Sequence, residues 1–142
     1  MRDKTGLLCF SRWDVQQVFI DAISTAGLDV RNVIVWDKQA HGSGNTKALF
    51  APSYETIIFA TKGKFEFPNG RPNDIISVPK VGANLIHPNE KPVQLLEWLV
   101  EYITKPKDLV FDPFAGSGST LVAAAKNGRK YYGIKLTKNT RK

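Results

Sequence analysis

Residues 108–134, DLVFDPFAGSGSTLVAAAKNGRKYYGI, string together an apolar run ending in a carboxylate, a loop of glycines and hydroxyls, an alanine-rich segment and a second apolar run. The order predicts a strand, a glycine loop, a helix closed by Gly128 and a further strand. Such a unit lays a polar or anionic ligand group on a helix N-terminus. The loop does not suit nucleotide hydrolysis, because Ser119 stands after Gly118 where Gly-Lys-Ser/Thr would put a lysine. It suits a dinucleotide poorly as well, with Leu121 at the third-glycine position and Lys135 where an acid would meet a ribose. Its distinctive part is Asp112 at the strand end, followed by Pro113 and Phe114. A carboxylate, a stiff turn and an aromatic together suit a ligand that carries both a cation and a heterocycle.

The segment ahead of this unit, PVQLLEWLVEYI, opens with Pro92 in a helix's first turn and spaces Leu96, Leu99, Val100 and Ile103 at i, i+3, i+4 and i+7. It reads as a surface helix packed on a sheet and stopped by Pro106. Earlier still, TGLLCF, VRNVIVW and YETIIFATKG read as strands. WDVQQVFIDAISTAG, with Val15, Val18, Phe19, Ala22 and Ile23, reads as a helix capped by Ser11 or by Trp13–Asp14 and closed by Gly27. Residues 37–53 are polar and glycine-rich and read as a loop. Residues 62–91 hold four of the eight prolines and read as loop with short extended pieces. Trp36 and Trp98 are assigned to packing.

One domain's worth of core fits 142 residues that are 42% hydrophobic and 23% charged. The lone cysteine, Cys9, excludes an intrachain disulfide or a thiolate metal site. No apolar run approaches a bilayer span and the N-terminus does not resemble a secretory signal, so a soluble, cytoplasmic protein is expected. The formal charge of +7 is uneven: Lys126, Arg129, Lys130, Lys135, Lys138, Arg141 and Lys142 carry seven cations without an acid, which leaves 20 − 7 = 13 cations against 13 acids in the remainder. The basicity therefore belongs to the C-terminal stretch, which either tracks phosphates or is simply solvated.

HPNEKPVQLLEWLV, FDPFAGSGST and GRKYYGI, in that order, closely resemble the cofactor half of amino-methylating DNA methyltransferases, which modify adenine N6 or cytosine N4. The likeness is to the permuted class, in which the cofactor loop follows the catalytic half. TGLLCF, AGLDVRNVIVWDK and YETIIFATKG resemble the strands that follow that family's catalytic motif, so the likeness runs from about Gly6 to Ile134. The resemblance implies an α/β fold, a Rossmann-like S-adenosylmethionine-dependent methyltransferase sheet of mixed strands with helices on both faces. It implies that Asp112, Pro113, Phe114, Gly116, Ser117, Gly118, Ser119 and Thr120 surround S-adenosylmethionine, and that His87 and Lys91 help to hold its carboxylate. Electrostatically this is coherent, since a helix N-terminus and a lysine favour a carboxylate while Asp112 accepts from an ammonium. Target choice on double-stranded DNA would fall to residues 63–86 and their border, with Lys62, Lys64, Arg71 and Lys80 for phosphates and Asn69, Asn73 and Asn84 for base edges.

Two departures from the family pattern stand out. Methyl transfer to a ring-conjugated amine requires a polar acceptor and an aromatic that stacks on the flipped base, supplied in the family by a Pro-Pro-aromatic motif. This sequence contains no Pro-Pro, and the motif belongs on a strand before TGLLCF. In addition, Lys135 stands where the family places an acid for the cofactor's ribose hydroxyls, bonds that a lysine cannot accept. The expectation is a single incomplete methyltransferase domain over 1–142: strands after the missing motif in 1–62, candidate DNA-recognition loops in 63–86 and a cofactor-binding half in 87–142. The central catalytic strand would be lacking, so that the strand ending at Asp112 and the strand GLLCF either pair directly or take a second chain between them. Inactivity of the isolated chain follows. The alternatives are a non-catalytic DNA-binding or assembly module on the same scaffold, and a nicotinamide-dependent oxidoreductase with Lys135 meeting a ribose phosphate.

Overall fold

In the computed structural model, residues 3–39, 47–79, 91–113 and 118–134 are described. The chain divides into two compact units, one of residues 1–67 with 71–79 and the other of residues 68–70 with 80–142.

The first unit is built on a mixed four-stranded sheet in the order β1-β3-β2-β4. β1 (Thr5–Ser11) and β2 (Asp29–Asp37) flank β3 (Tyr54–Lys62), both antiparallel to it, and β4 (Ile75–Ser77) adds to the outer edge of β2 in parallel. The β-branched and aromatic residues that predict these strands also fill the core: Ile57, Ile58, Phe59 and Ala60 of β3 and Trp36 of β2 are buried. Helix α1 (Gln16–Thr25) starts later than its periodicity suggests. Its N-cap is Val15 and no side chain caps it. The expected caps are otherwise engaged, Ser11 Oγ on the Arg12 carbonyl at 3.3 Å and Asp14 on the Arg12 guanidinium at 3.1 Å. Gly27 closes α1 in the left-handed region, as expected. No residue of α1 is fully buried, and Val18 and Phe19 face solvent.

Much of the stretch expected to be loop after β3 is fastened to the sheet. Phe65 and Phe67 pack on Phe59, with ring centroids 5.5 and 5.6 Å away. A Cβ on Gly6 would come within 3.0 Å of the Phe59 ring, so the glycine admits that aromatic cluster. Further on, Val35 N–H donates to Asp74 O at 2.8 Å, and the Trp36 indole N–H donates to Val78 O at 2.8 Å. Trp36 is thus a packing residue with its one polar atom satisfied.

In the second unit α2 (Val93–Ile103) begins after Pro92 and buries Leu95, Leu96, Leu99 and Val100; of the predicted stripe Ile103 is only half-buried, at the helix end, and Leu95 joins it. β5 (Leu109–Asp112), α3 (Ser119–Lys126) and β6 (Lys130–Gly133) follow at their expected places, and β5 and β6 pair in parallel. Among the described residues β5 and β6 form a two-stranded sheet. Arg129, counted with the basic C-terminal stretch, is turned inward and only 9% exposed. Its guanidinium donates to Thr104 Oγ1 at 2.9 Å, Thr104 O at 2.7 Å and Asn127 O at 2.6 Å. It therefore ties the end of α2 to the end of α3 and is not a solvated cation that could track phosphates. No described helix is long and apolar enough to cross a membrane.

Candidate cofactor site

The candidate site grows from β5. Paired in register with β6, as Phe111 with Tyr132 and Asp112 with Gly133, β5 ends at Asp112, which is half-buried. The chain leaves the strand through Pro113, and α3 begins at Ser119 with Gly118 as its N-cap. Gly118 adopts φ 87° and ψ 13°, a left-handed conformation that L side chains rarely hold. Nothing lies within 4 Å of where its Cβ would be. Among the described residues no neighbour crowds this position, and the constraint that selects glycine here is backbone conformation.

Val122 N–H reaches Gly118 O at 3.0 Å, which starts the helical ladder. An α-helix's opening amides have no carbonyl upstream within the helix, so the start of α3 presents N–H groups and a partial positive charge. Asp112, at the end of the preceding strand, supplies the opposite charge. One end of this strand-turn-helix unit can therefore take a carboxylate and the other an ammonium. Ala123 and Ala124 are fully buried, and Gly128 closes α3 in the left-handed region. Arg129 holds the far end.

Of the residues expected around a cofactor, Asp112, Pro113, Gly118, Ser119 and Thr120 fall within this single βαβ unit. Lys91 lies two residues ahead of α2 in the same unit. Phe114, Gly116, Ser117, His87 and Lys135 lie outside the described residues, as do Lys138, Arg141 and Lys142. Among the residues expected to meet DNA, Lys62 ends β3 and is half-buried, its carbonyl accepting from Lys4 N–H at 2.7 Å. Lys64, Arg71, Asn69 and Asn73 are exposed, and Lys80 and Asn84 lie outside the described residues.

Sequence reasoning missed the polar ties that hold these elements. One is Arg129 on Thr104. Another is Lys38, a nearly buried ammonium 3.4 Å from Glu55 between β2 and β3. The signal for the second lay in the alternation of β2, which continues one residue past the strand's end to put Lys38 two positions after the buried Trp36. Cys9 is half-buried on β1 and burial pushes its thiol up, so it is poorly suited to nucleophilic work. Among the described residues no cluster of His, Cys, Asp and Glu could hold a metal ion.

A family model described as DNA methylase matches residues 69–142. YubD of Escherichia coli (strain K12), provisionally named a methylase, is 37% identical over 131 residues, which is 92% of this chain and 56% of YubD. The type II methyltransferase M2.LlaDCHI of Lactococcus lactis subsp. cremoris is 32% identical over 130 residues, 80% of this chain and 48% of its own length. The chain thus spans about half the length of the curated relatives it matches. Among solved structures, the M1.HpyAVI–SAM complex superposes with a TM-score of 0.84 at 25% identity, covering 97% of this chain and 71% of that one. The PvuII cytosine-N4-specific DNA methyltransferase superposes with a TM-score of 0.69 at 19% identity, covering 86% and 52%. The α/β methyltransferase fold is therefore established.

Proposed function

The chain belongs to the DNA methylase family, and from that membership we propose that it is the cofactor-binding half of a DNA methyltransferase of restriction–modification type, acting on adenine N6 or cytosine N4. The cofactor is S-adenosylmethionine and the substrate double-stranded DNA. The observation that carries this reading is the β5–α3–β6 unit, in which a strand-end carboxylate, a left-handed glycine turn and a helix start follow one another within eight residues, 112–119.

The donor set fits the group. S-adenosylmethionine, when bound, supplies an electrophilic methyl on a sulfonium. The residues would hold it by their own chemistry: Asp112 accepts from its ammonium, the opening amides of α3 with Ser119 and Thr120 receive its carboxylate, and Gly118 supplies the left-handed conformation that starts α3. His87 and Lys91 are assigned to the carboxylate, and Pro113, Phe114, Gly116 and Ser117 to the wall of the turn. Lys62, Lys64, Arg71 and Lys80 are assigned to DNA phosphates. The base-flipping, methyl-accepting part of the reaction requires a Pro-Pro-aromatic segment, which this sequence does not contain.

Calorimetric titration of the purified chain tests the reading. S-adenosylmethionine is expected to bind weakly and NADPH not at all. Lys135→Glu, which restores an acceptor for the ribose hydroxyls, should tighten the former several-fold. Binding of NADPH in preference to S-adenosylmethionine would overturn the assignment.

A further inference from the structure

The start of α3 is where a ligand carboxylate would sit, and no side chain caps it. Of the eight residues of α3 only Ala123 and Ala124 are buried, and two methyl groups offer no knob large enough to fix a helix's tilt. Polar ties hold the other end. Asn127, the C-cap, donates from Nδ2 to Ala123 O at 2.9 Å and to Glu97 Oε1 of α2 at 3.5 Å. Arg129 donates from Nε and Nη2 to the hydroxyl and carbonyl of Thr104, the C-cap of α2, and from Nη1 to Asn127 O. The Thr104 hydroxyl in turn donates to Val100 O at 2.6 Å. One planar guanidinium thus joins the C-terminal ends of both helices. Among the described residues no carboxylate pairs with Arg129, so its buried charge is met by helix-end carbonyls, the negative ends of the two helix dipoles. A buried cation without a counterion is tolerated only where such a fork of acceptors offsets its desolvation.

Fastening at the far end gives leverage at the near one. An eight-residue helix is about 12 Å long, so a tilt of about 5° around its C-terminal end carries its first turn about 1 Å. Amide hydrogen bonds to oxygen hold only within about 2.7–3.2 Å, and a shift of that size breaks them. We infer that Arg129 is a positioning residue for the cofactor: its bonds to Thr104 set the tilt of α3 and aim the helix's opening amides at the carboxylate of S-adenosylmethionine, without touching the ligand. The same cation offsets the negative end of the α3 dipole and leaves the positive end to the ligand. The inference rests on the proposed function and deepens it, since the cofactor turn then depends on α2 through a residue at the opposite end of α3.

The test uses the full chain, the variant Arg129→Lys, which keeps the charge and loses the fork, and two ligands. Decarboxylated S-adenosylmethionine keeps the adenosine, sulfonium and ammonium and lacks only the carboxylate. In Arg129→Lys, affinity for S-adenosylmethionine should fall about ten-fold, the scale of one lost hydrogen bond to a charged group, while affinity for the decarboxylated ligand stays within about two-fold. A merely structural role would lower both together. In the ligand-free variant the amide resonances of Ser119–Val122 should shift while those of β3 stay in place. Thr104→Val removes one acceptor and keeps Arg129; it should act in the same direction by less, and it serves if Arg129→Lys unfolds by circular dichroism. Undiminished S-adenosylmethionine affinity in both variants, equal loss for both ligands, or unmoved Ser119–Val122 resonances would overturn the inference. A wild-type chain that binds neither ligand overturns the proposed function and the cofactor part of this inference with it, and the resonances still report whether Arg129 sets the start of α3.

Discussion

β3 and β5 are both apolar strands, yet β3 is buried without interruption from Thr56 to Thr61 while β5 alternates between exposed and half-buried. Six consecutive buried residues mean that β3 is covered on both faces, and its pairing to β1 and β2 satisfies both edges. Among the described residues β5 has one strand neighbour, β6, and none of its residues is buried. The difference teaches where each unit's stability resides: in the first within the sheet itself, in the second in the polar and helical ties around a two-stranded sheet. The cofactor turn is thus carried by the less self-sufficient of the two.

The comparison breaks most sharply in the core of β3. Ile58→Ala should cost about 2–5 kcal/mol in denaturant unfolding, because a fully buried side chain is deleted between two strands that cannot close over it. A loss below about 1 kcal/mol would mean that β3 is not the anchor of its unit. Next comes Arg129→Met, which removes three hydrogen bonds from a buried guanidinium and strands Thr104 O. The expected loss is roughly 2 kcal/mol, on the scale of charge-assisted bonds. If Arg129 were a solvated cation, the same change would be silent at fixed ionic strength. Phe111→Ala in the isolated chain should cost only about 0.5 kcal/mol, the scale of surface positions, despite removing a large aromatic. The smallest effect concerns Cys9: its raised thiol pKa leaves less thiolate at pH 8 than an ordinary cysteine, and alkylation by iodoacetamide should be slower than for a free thiol and accelerate only at higher pH.

Local patterns carried well from sequence to structure where a single periodicity decided the outcome. Leu96, Leu99 and Val100 mark the buried stripe of α2, and the β-branched runs mark β2 and β3 to within a residue or two. Non-local outcomes were less legible. Nothing in the spacing of Val15, Val18, Phe19, Ala22 and Ile23 says that α1 leaves Val18 and Phe19 in solvent, because helical periodicity reports a stripe and not what covers it. Counting Arg129 with its basic neighbours missed that the carbonyl and hydroxyl of Thr104, 25 positions away, draw it inward. Residues 62–91 read as loop with short extended pieces without saying where they fall, and β4 is such a piece: three residues suffice when Asp74 O and Val78 O accept from β2. Around the cofactor turn, the order of Asp112, Pro113, Gly118 and Ser119 conveyed the strand, turn and helix because each residue type has a local conformational reason for its place.

Hydrogen exchange of the chain with and without S-adenosylmethionine tests the central claim most directly, since it reads both units at once. The account predicts slowed exchange in peptides spanning Leu109–Asp112 and Gly118–Val122, no change across β3, and loss of the protection in Asp112→Ala. Unchanged exchange at the start of α3 under saturating ligand, or protection confined to the β1–β3 sheet, would contradict it.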